Sequence, residues 1–271
     1  MIRKTDRIYI AGHTGLAGSA LVRKFSEKGH DRLLLRTRAE LDLRDQASVD
    51  AFFKSERPDH VILAAARVGG IIANNTRPAD FIYDNLMIQS HVIHAAWRGG
   101  VNRLIFLGSS CIYPRQCPQP MKEEHLLTGP LEPTNEPYAV AKIAGIKMCQ
   151  SYNRQHNTRF LAVMPTNLYG ANDNFDPESS HVLPALIRKF HEAKTRNNAT
   201  VTAWGTGAPR REFLHADDFA DACCFLLNLS DADYDALVSQ DSAPLINIGC
   251  GRDIAIAELA GPGRDDPPAG C

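Results

Sequence analysis

The sequence has no apolar run of transmembrane length, so a membrane partner is not expected. It lacks an excess of either charge, with 30 basic residues against 31 acidic ones and a formal net charge of −1. Nucleic acid is therefore not an expected partner either. Met1 to Asp6 turn polar at once, ahead of a strand-like run, and no leader peptide is expected. The seven cysteines form no Cys-x-x-Cys pair, and their odd number cannot pair completely within the chain. Such usage reads as reduced thiols in a cytoplasmic protein. Ten histidines show no ligand spacing with cysteine or acid, so no metal site is expected. Repeats and low-complexity segments are missing until the end, where residues 261 to 271 are rich in glycine and proline and read as a disordered tail.

What is present is enough for one α/β domain and a smaller appended unit, with 44% apolar residues in 271. Residues 7 to 11 read as a buried strand, and Gly15 to Lys28 as a helix with Leu16, Ala20, Val22 and Phe25 facing inward. Leu33 to Leu35 is a second strand, and Asp45 to Glu56 a helix capped near Asp45. His60 to Ala64 and Arg103 to Leu107 are further buried strands on either side of a long helix, Pro78 to Arg98. Another helix runs from about Pro137 to Arg154, before a strand from Phe160 to Val163. This alternation predicts a Rossmann-type α/β fold with a doubly wound parallel sheet. Beyond Pro165 the texture changes to one long helix, about His181 to Lys194, and short strand-like pieces at Val201 to Ala203 and Leu245 to Ile248. Residues 6–165 are expected to be mainly a dinucleotide-binding domain. Residues 166–260 should be mainly a substrate-facing unit, interleaved with it.

Gly12, Gly15 and Gly18 lie between the first strand and the first helix. Glycines there allow a tight turn and close approach of a pyrophosphate to free helix amides. NAD enzymes usually carry an acid after the second strand, for the ribose 2′-hydroxyl. Here that strand ends Leu35-Arg36-Thr37-Arg38, and guanidinium groups suit a 2′-phosphate, which favours NADPH over NADH. A solvated arginine patch is the alternative. Tyr138 and Lys142 are four apart among good helix formers and so share a helix face. An ammonium beside the phenol is expected to pull the tyrosine pKa from about 10 toward neutrality, suiting it to pass a proton to a carbonyl oxygen. Ser109 and Cys111 follow a strand at the carboxyl edge of the sheet, and in an extended chain both would point to one side. Cys111 as a packed small hydrophobe and His181 as a helix cap or solvated residue remain open alternatives.

These motifs resemble the extended short-chain dehydrogenase/reductase superfamily. Longer stretches, Ala64 to Ile71, Leu107 to Pro114, Glu132 to Ala139 and Met164 to Gly170, resemble its GDP-L-fucose synthase family, as do Trp204 to Gly207 and Arg211 to His215. The similarity runs over about residues 6 to 260. It implies an NADP(H)-dependent cytoplasmic homodimer that converts GDP-4-keto-6-deoxy-D-mannose to GDP-L-fucose by epimerisation at C3 and C5 and reduction at C4. The resemblance makes Cys111 the epimerisation base and His181 the acid on the opposite face. Ser109 and Tyr138 would hold the C4 oxygen, and Lys142 the nicotinamide ribose. A cysteine base requires a pKa of about 8.5 held near ambient pH, expected here from nearby cations.

The matched cofactor positions begin with Gly12, His13, Thr14, Gly15, Leu16, Ala17 and Gly18. Arg38, Leu107, Gly108, Ser109 and Ser110 follow, then Lys142, Pro165, Thr166, Asn167, Leu168 and His181. Asn167, Lys189, Trp204 and Arg211 match substrate positions. Some members carry an arginine where this chain has Thr14, which places more of the 2′-phosphate contact on Arg38. Residues 261 to 271 resemble nothing in the family, which implies a shifted frame or early end and an incomplete substrate unit. The competing readings are another nucleotide-sugar epimerase or dehydratase and a catalytically inactive dinucleotide-binding protein.

Overall fold

The computed structural model describes residues 2–177, 179–203, 205–239 and 243–261. Trp204 and residues 262 to 271, to which the sequence assigns a substrate contact and a tail, lie outside the described residues.

The chain opens with β1 (Ile8–Ala11), α1 (Leu16–Glu27), β2 (Leu33–Leu34), α2 (Gln46–Glu56) and β3 (His60–Leu63). Next come α3 (Ile71–Thr76), α4 (Pro78–Arg98), β4 (Arg103–Leu107), α5 (Glu136–His156) and β5 (Phe160–Pro165). Then follow β6 (Asn167–Tyr169), α6 (Val182–Thr195), β7 (Arg210–His215), α7 (Ala216–Leu227) and α8 (Asp231–Leu237). The last elements are β8 (Leu245–Ile248), β9 (Asp253–Ala255) and α9 (Ile256–Leu259). Local chemistry explains several boundaries. Asp45 accepts the amide hydrogen of Ala47 at 3.0 Å and caps α2. Pro78 starts α4, where a missing amide hydrogen costs nothing.

Six parallel strands form the main sheet in the order β2-β1-β3-β4-β5-β8. Strand β1 distributes its side chains by the two-residue alternation of a pleated strand. Tyr9 and Ala11 face a core with α2, α4 and α5, while Ile8 and Ile10 face one with α1 and α7. Helix α4 packs on α5, and α1 on α7. Each fully buried aromatic such as Phe25 or Phe106 contributes about 1.5–3 kcal/mol of burial. Both faces of the sheet are thus covered, as a parallel sheet requires.

A small second sheet joins β6 to β7 in parallel and β7 to β9 antiparallel. Two expectations change. Val201 to Ala203 forms no strand, because no neighbouring chain offers it a ladder in the described residues. Leu245 to Ile248 is a strand of the main sheet and pairs with β5 in the register Met164 to Asn247. Leu245 joins the core of α2, α4 and α5, while Ile246 and Ile248 pack against the core of α1 and α7. Buried Arg103, at the start of β4, ties this half together. It donates to the carbonyls of Leu227 at 2.7 Å and Leu229 at 2.9 Å, to Asp231 at 2.6 Å, and stacks on Tyr234.

Candidate active site

Strand order reverses beside β1, with β2 on one side and β3 on the other, and such a point opens a crevice at the carboxyl ends. Gly12 closes β1 there with φ +82°. A Cβ on it would come within 2.7 Å of the Ala65 backbone nitrogen, and one on Gly18 would enter the Gly12 carbonyl. Only glycine fits at both places. Helix α1 starts at Gly15 with no side-chain cap. Its first amides therefore remain to bind an anion such as a pyrophosphate. The buried Nδ1 of His13 and Oγ1 of Thr166 also have no hydrogen-bond partner among the described residues. Together these features fit a dinucleotide.

The two arginines after β2 separate in space. Arg36 pairs with Glu56 at 2.6 Å and lies over Phe52, so structure, rather than phosphate, accounts for it. Arg38 is 71% exposed in its side chain, with Asp42 at 3.9 Å. Thr14 is exposed at the start of the glycine turn. Of the two guanidiniums, Arg38 is the one left able to turn to a phosphate.

Ser109, Cys111, Tyr138 and Lys142 converge at the carboxyl end of β4. The Lys142 ammonium donates to the Leu107 carbonyl at 2.8 Å and lies 5.8 Å from the centre of the Tyr138 ring. Phe81 meets the Tyr138 ring edge-on at 6.3 Å. Ser109 is extended, but Ser110 to Ile112 form a 3-10 turn, closed by Ile112 N–H donating to Ser109 O at 3.2 Å. The extended path expected from Ser109 to Cys111 is thus replaced by a turn, and hydrogen bonding rather than strand alternation relates them. The Ser109 hydroxyl interacts with both Cys111 and Tyr138.

Burial sets the protonation of this cluster. It pushes the Cys111 thiol up to about 11, against the hydrogen bond from Ser109 and the charge of Lys142. It pulls the Lys142 ammonium down to about 8, with Cys111 opposing. Burial also raises Tyr138, Cys111 adds to that, and Ser109 pulls the other way. The expected depression of Tyr138 and of Cys111 is thereby corrected. Desolvation of the thiolate outweighs the charge of Lys142, which is itself buried.

His181 is the exposed N-cap residue of α6, and its side chain makes no capping bond. The Gly70 amide donates to the Ser179 carbonyl at 2.9 Å, which ties the segment leading to His181 to the loop after β3. Asp173 is raised by burial, opposed by the Asn174 amide and by the charge of His181. Asn167 donates to the Glu212 carbonyl at 2.9 Å. Lys189 donates to the Thr202 carbonyl at 3.1 Å, and Arg211 to the Arg210 carbonyl at 2.8 Å. Asn167 and Arg211 lie on β6 and β7 of the second sheet, and Lys189 on α6. Leu107, Gly108, Ser110, Pro165 and Leu168 stand at the ends of β4, β5 and β6, while Leu16 and Ala17 form the first turn of α1.

The sequence profile of the NAD dependent epimerase/dehydratase family matches residues 8–238. GDP-L-fucose synthase 1 of Arabidopsis thaliana is 59% identical over 260 residues, 96% of this chain and 77% of that one. The chain belongs to this family, on its GDP-L-fucose synthase branch. GDP-L-fucose synthase of Escherichia coli (strain K12) is 56% identical over 258 residues, 94% of this chain and 79% of that one. Among solved structures, a GDP-D-glycero-L-gluco-heptose synthase from Campylobacter jejuni, determined in the presence of NADPH, superposes with a TM-score of 0.87. It is 40% identical, and the match covers 96% of this chain and 85% of that one.

Reading the sequence missed Asn247 and Phe81. Asn247 interrupts an otherwise apolar run, Leu245-Ile246-Asn247-Ile248, and that polar residue inside a strand was the available signal. Phe81 had none, since its edge contact with Tyr138 depends on how α4 crosses α5.

Proposed function

We propose that the protein converts GDP-4-keto-6-deoxy-D-mannose to GDP-L-fucose, using NADPH. The observation that carries this reading is the gathering of Cys111, Ser109, Tyr138 and Lys142 at one sheet edge. A plain reductase needs the last three; a thiol among them supplies a base for proton exchange beside a ketone.

In the first stage the Cys111 thiolate removes the proton from C5 or C3, and the electron pair of that C–H bond moves onto the C4 oxygen. Ser109 and Tyr138 hydroxyls hold that oxygen while its charge develops. His181 returns a proton to the opposite face, which inverts the carbon. Both carbons adjoin the ketone, so one acid–base pair serves each in turn, once Cys111 has released its proton to solvent and His181 has taken one up. The Ser109 hydroxyl and the Lys142 ammonium act in the direction that favours thiolate.

For the second stage, NADPH bound in the crevice would supply a hydride for C4. The Tyr138 hydroxyl gives its proton to the C4 oxygen, completing the alcohol. Lys142, 5.8 Å from the centre of the Tyr138 ring, would hold the nicotinamide ribose and face the phenolate so formed. Gly12 to Gly18 would cradle the pyrophosphate and Arg38 the 2′-phosphate. Asn167, Lys189, Trp204 and Arg211 would bind the guanosine diphosphate portion.

A cytoplasmic homodimer completes the proposal. Free thiols at Cys111, Cys117, Cys149, Cys223, Cys224 and Cys250 suit a reducing compartment. Exposed Tyr83 on α4 and Val140 on α5 suit a second copy. Sedimentation would give about twice the 29.8 kDa chain mass if the dimer is right. The decisive experiment supplies the 4-keto sugar nucleotide with NADPH, follows NADPH oxidation and determines product stereochemistry. NADPH consumption with a GDP-L-fucose product supports the reading; no consumption, or a product unchanged at C3 and C5, overturns it.

A further inference from the structure

Strand β8 carries one side chain whose polar groups are all engaged with a single loop. The Asn247 amide nitrogen of the backbone donates to the Glu123 carboxylate at 2.8 Å. Its side-chain Nδ2 donates to the Met121 carbonyl at 3.1 Å. Its Oδ1 accepts from the Tyr113 hydroxyl at 2.5 Å. Strand β8 is itself held in the sheet opposite β5, in the register Met164 to Asn247. One half-buried residue therefore fixes three points of the loop from Tyr113 to Glu123 to the rigid part of the molecule.

Tyr113 is the important one of these points. It is buried, and it ends the 3-10 turn Ser110 to Ile112 that carries Cys111, with its amide donating to the Ser110 carbonyl at 3.3 Å. The other end of this short segment is Leu107 on β4, anchored further by Gly108 N–H donating to Val163 O at 2.8 Å. Cys111 is thus suspended between two anchors. Tyr138 and Lys142 sit on α5, which touches this turn but is itself held against α4 and β5.

The amide head is the chemistry that this joint needs. It offers an acceptor for the tyrosine hydroxyl and a donor for the Met121 carbonyl on one planar group. Aspartate would bring a second acceptor against that carbonyl and a charge toward Glu123. An aliphatic residue would leave a buried hydroxyl and a carbonyl without partners.

We propose that Asn247 is a positioning residue for Cys111: through Tyr113 it sets the turn that aims the thiol, and so governs epimerisation more than reduction. The part concerning epimerisation rests on the reaction proposed above; the part concerning the thiol's placement does not.

The test uses Asn247→Ala and Tyr113→Phe, which break the same joint from opposite sides, and their double variant. Iodoacetamide labelling of Cys111, followed by peptide mass spectrometry with exposed Cys250 as internal reference, should be about tenfold faster in each single variant. The double variant should label no faster than the singles, because the two residues act as one unit. With the 4-keto sugar nucleotide and NADPH, the fraction of sugar reduced without epimerisation should rise several-fold, while NADPH affinity stays as in the parent. A merely structural role would lower stability and every rate together at the parent product ratio. Parent-like labelling of Cys111 in folded Asn247→Ala overturns the proposal, and so does a parent-like product ratio. If the parent protein fails to turn over this sugar, the reaction reading fails, and the labelling rate still decides the placement of Cys111.

Discussion

Tyr138 offers the cleanest separation of binding from chemistry. Its ring packs against Phe81 and faces Lys142, so Tyr138→Phe keeps those contacts and removes only the hydroxyl. Loss of a positioned acid costs about 10²–10⁴ in rate, and reduction should fall by that much with NADPH binding near parent level. Single-turnover kinetics beside a binding titration checks it; near-parent turnover would remove Tyr138 from the mechanism. Cys111→Ser and His181→Asn address the other stage. Each should slow epimerisation while hydride transfer continues, so unepimerised alcohol should accumulate. Only normal product at the normal rate would dismiss both roles. The protonation of Cys111 also has a direct readout. With the thiol pushed up to about 11 by burial, its alkylation rate in the parent protein should still be climbing at pH 9.5. A free thiol titrates at about 8.5 and would be levelling off there. A plateau below pH 9 would mean that Lys142 and Ser109 outweigh burial.

Among the elements, the union of β4 with α7 and α8 depends on one buried cation. Arg103 satisfies the last carbonyls of α7 and the segment after it, and Asp231 at the head of α8 neutralises it. Asp231 is 63% exposed in its side chain, so the ion pair itself contributes little. The carbonyls are the larger matter. Arg103→Met should leave them buried without donors and destabilise the fold by about 1–3 kcal/mol. Urea unfolding with an unchanged slope would read this as a midpoint shift, and an unshifted midpoint would mean that water replaces the guanidinium. The glycine turn between β1 and α1 obeys a different constraint, steric rather than electrostatic. Any side chain on Gly18 would enter the Gly12 carbonyl and push α1 off the strand.

At the scale of the whole molecule, ligand binding to the folded chain alone should raise its stability, by about 2.7 kcal/mol at a concentration 100 times Kd. NADPH should therefore raise Tm more than NADH at equal concentration. Arg38→Ala should abolish most of that difference, because a charge-assisted contact to the 2′-phosphate is lost. An equal loss for both cofactors would make Arg38 a surface residue only.

The order of elements was legible in the chain, because periodicity and caps are local. Asp45 before α2, Pro78 opening α4 and the glycines after β1 act on residues within a few positions. The pairing of a glycine turn with Tyr138 and Lys142 was legible for the same reason. Tertiary structure decided the rest. It turned Arg36 toward Glu56 and left Arg38 exposed, a choice made by α2 rather than by the arginine run. It placed Leu245 to Ile248 on the main sheet, where an edge left open by β5 needed a partner. It also reversed the expected acidity of Tyr138 and Cys111, since spacing reveals a neighbouring ammonium but not how much water the fold removes. Sequence alone determined which residues could meet through local geometry. Desolvation and long-range contacts, which exist only once the chain has closed on itself, determined how those residues behave.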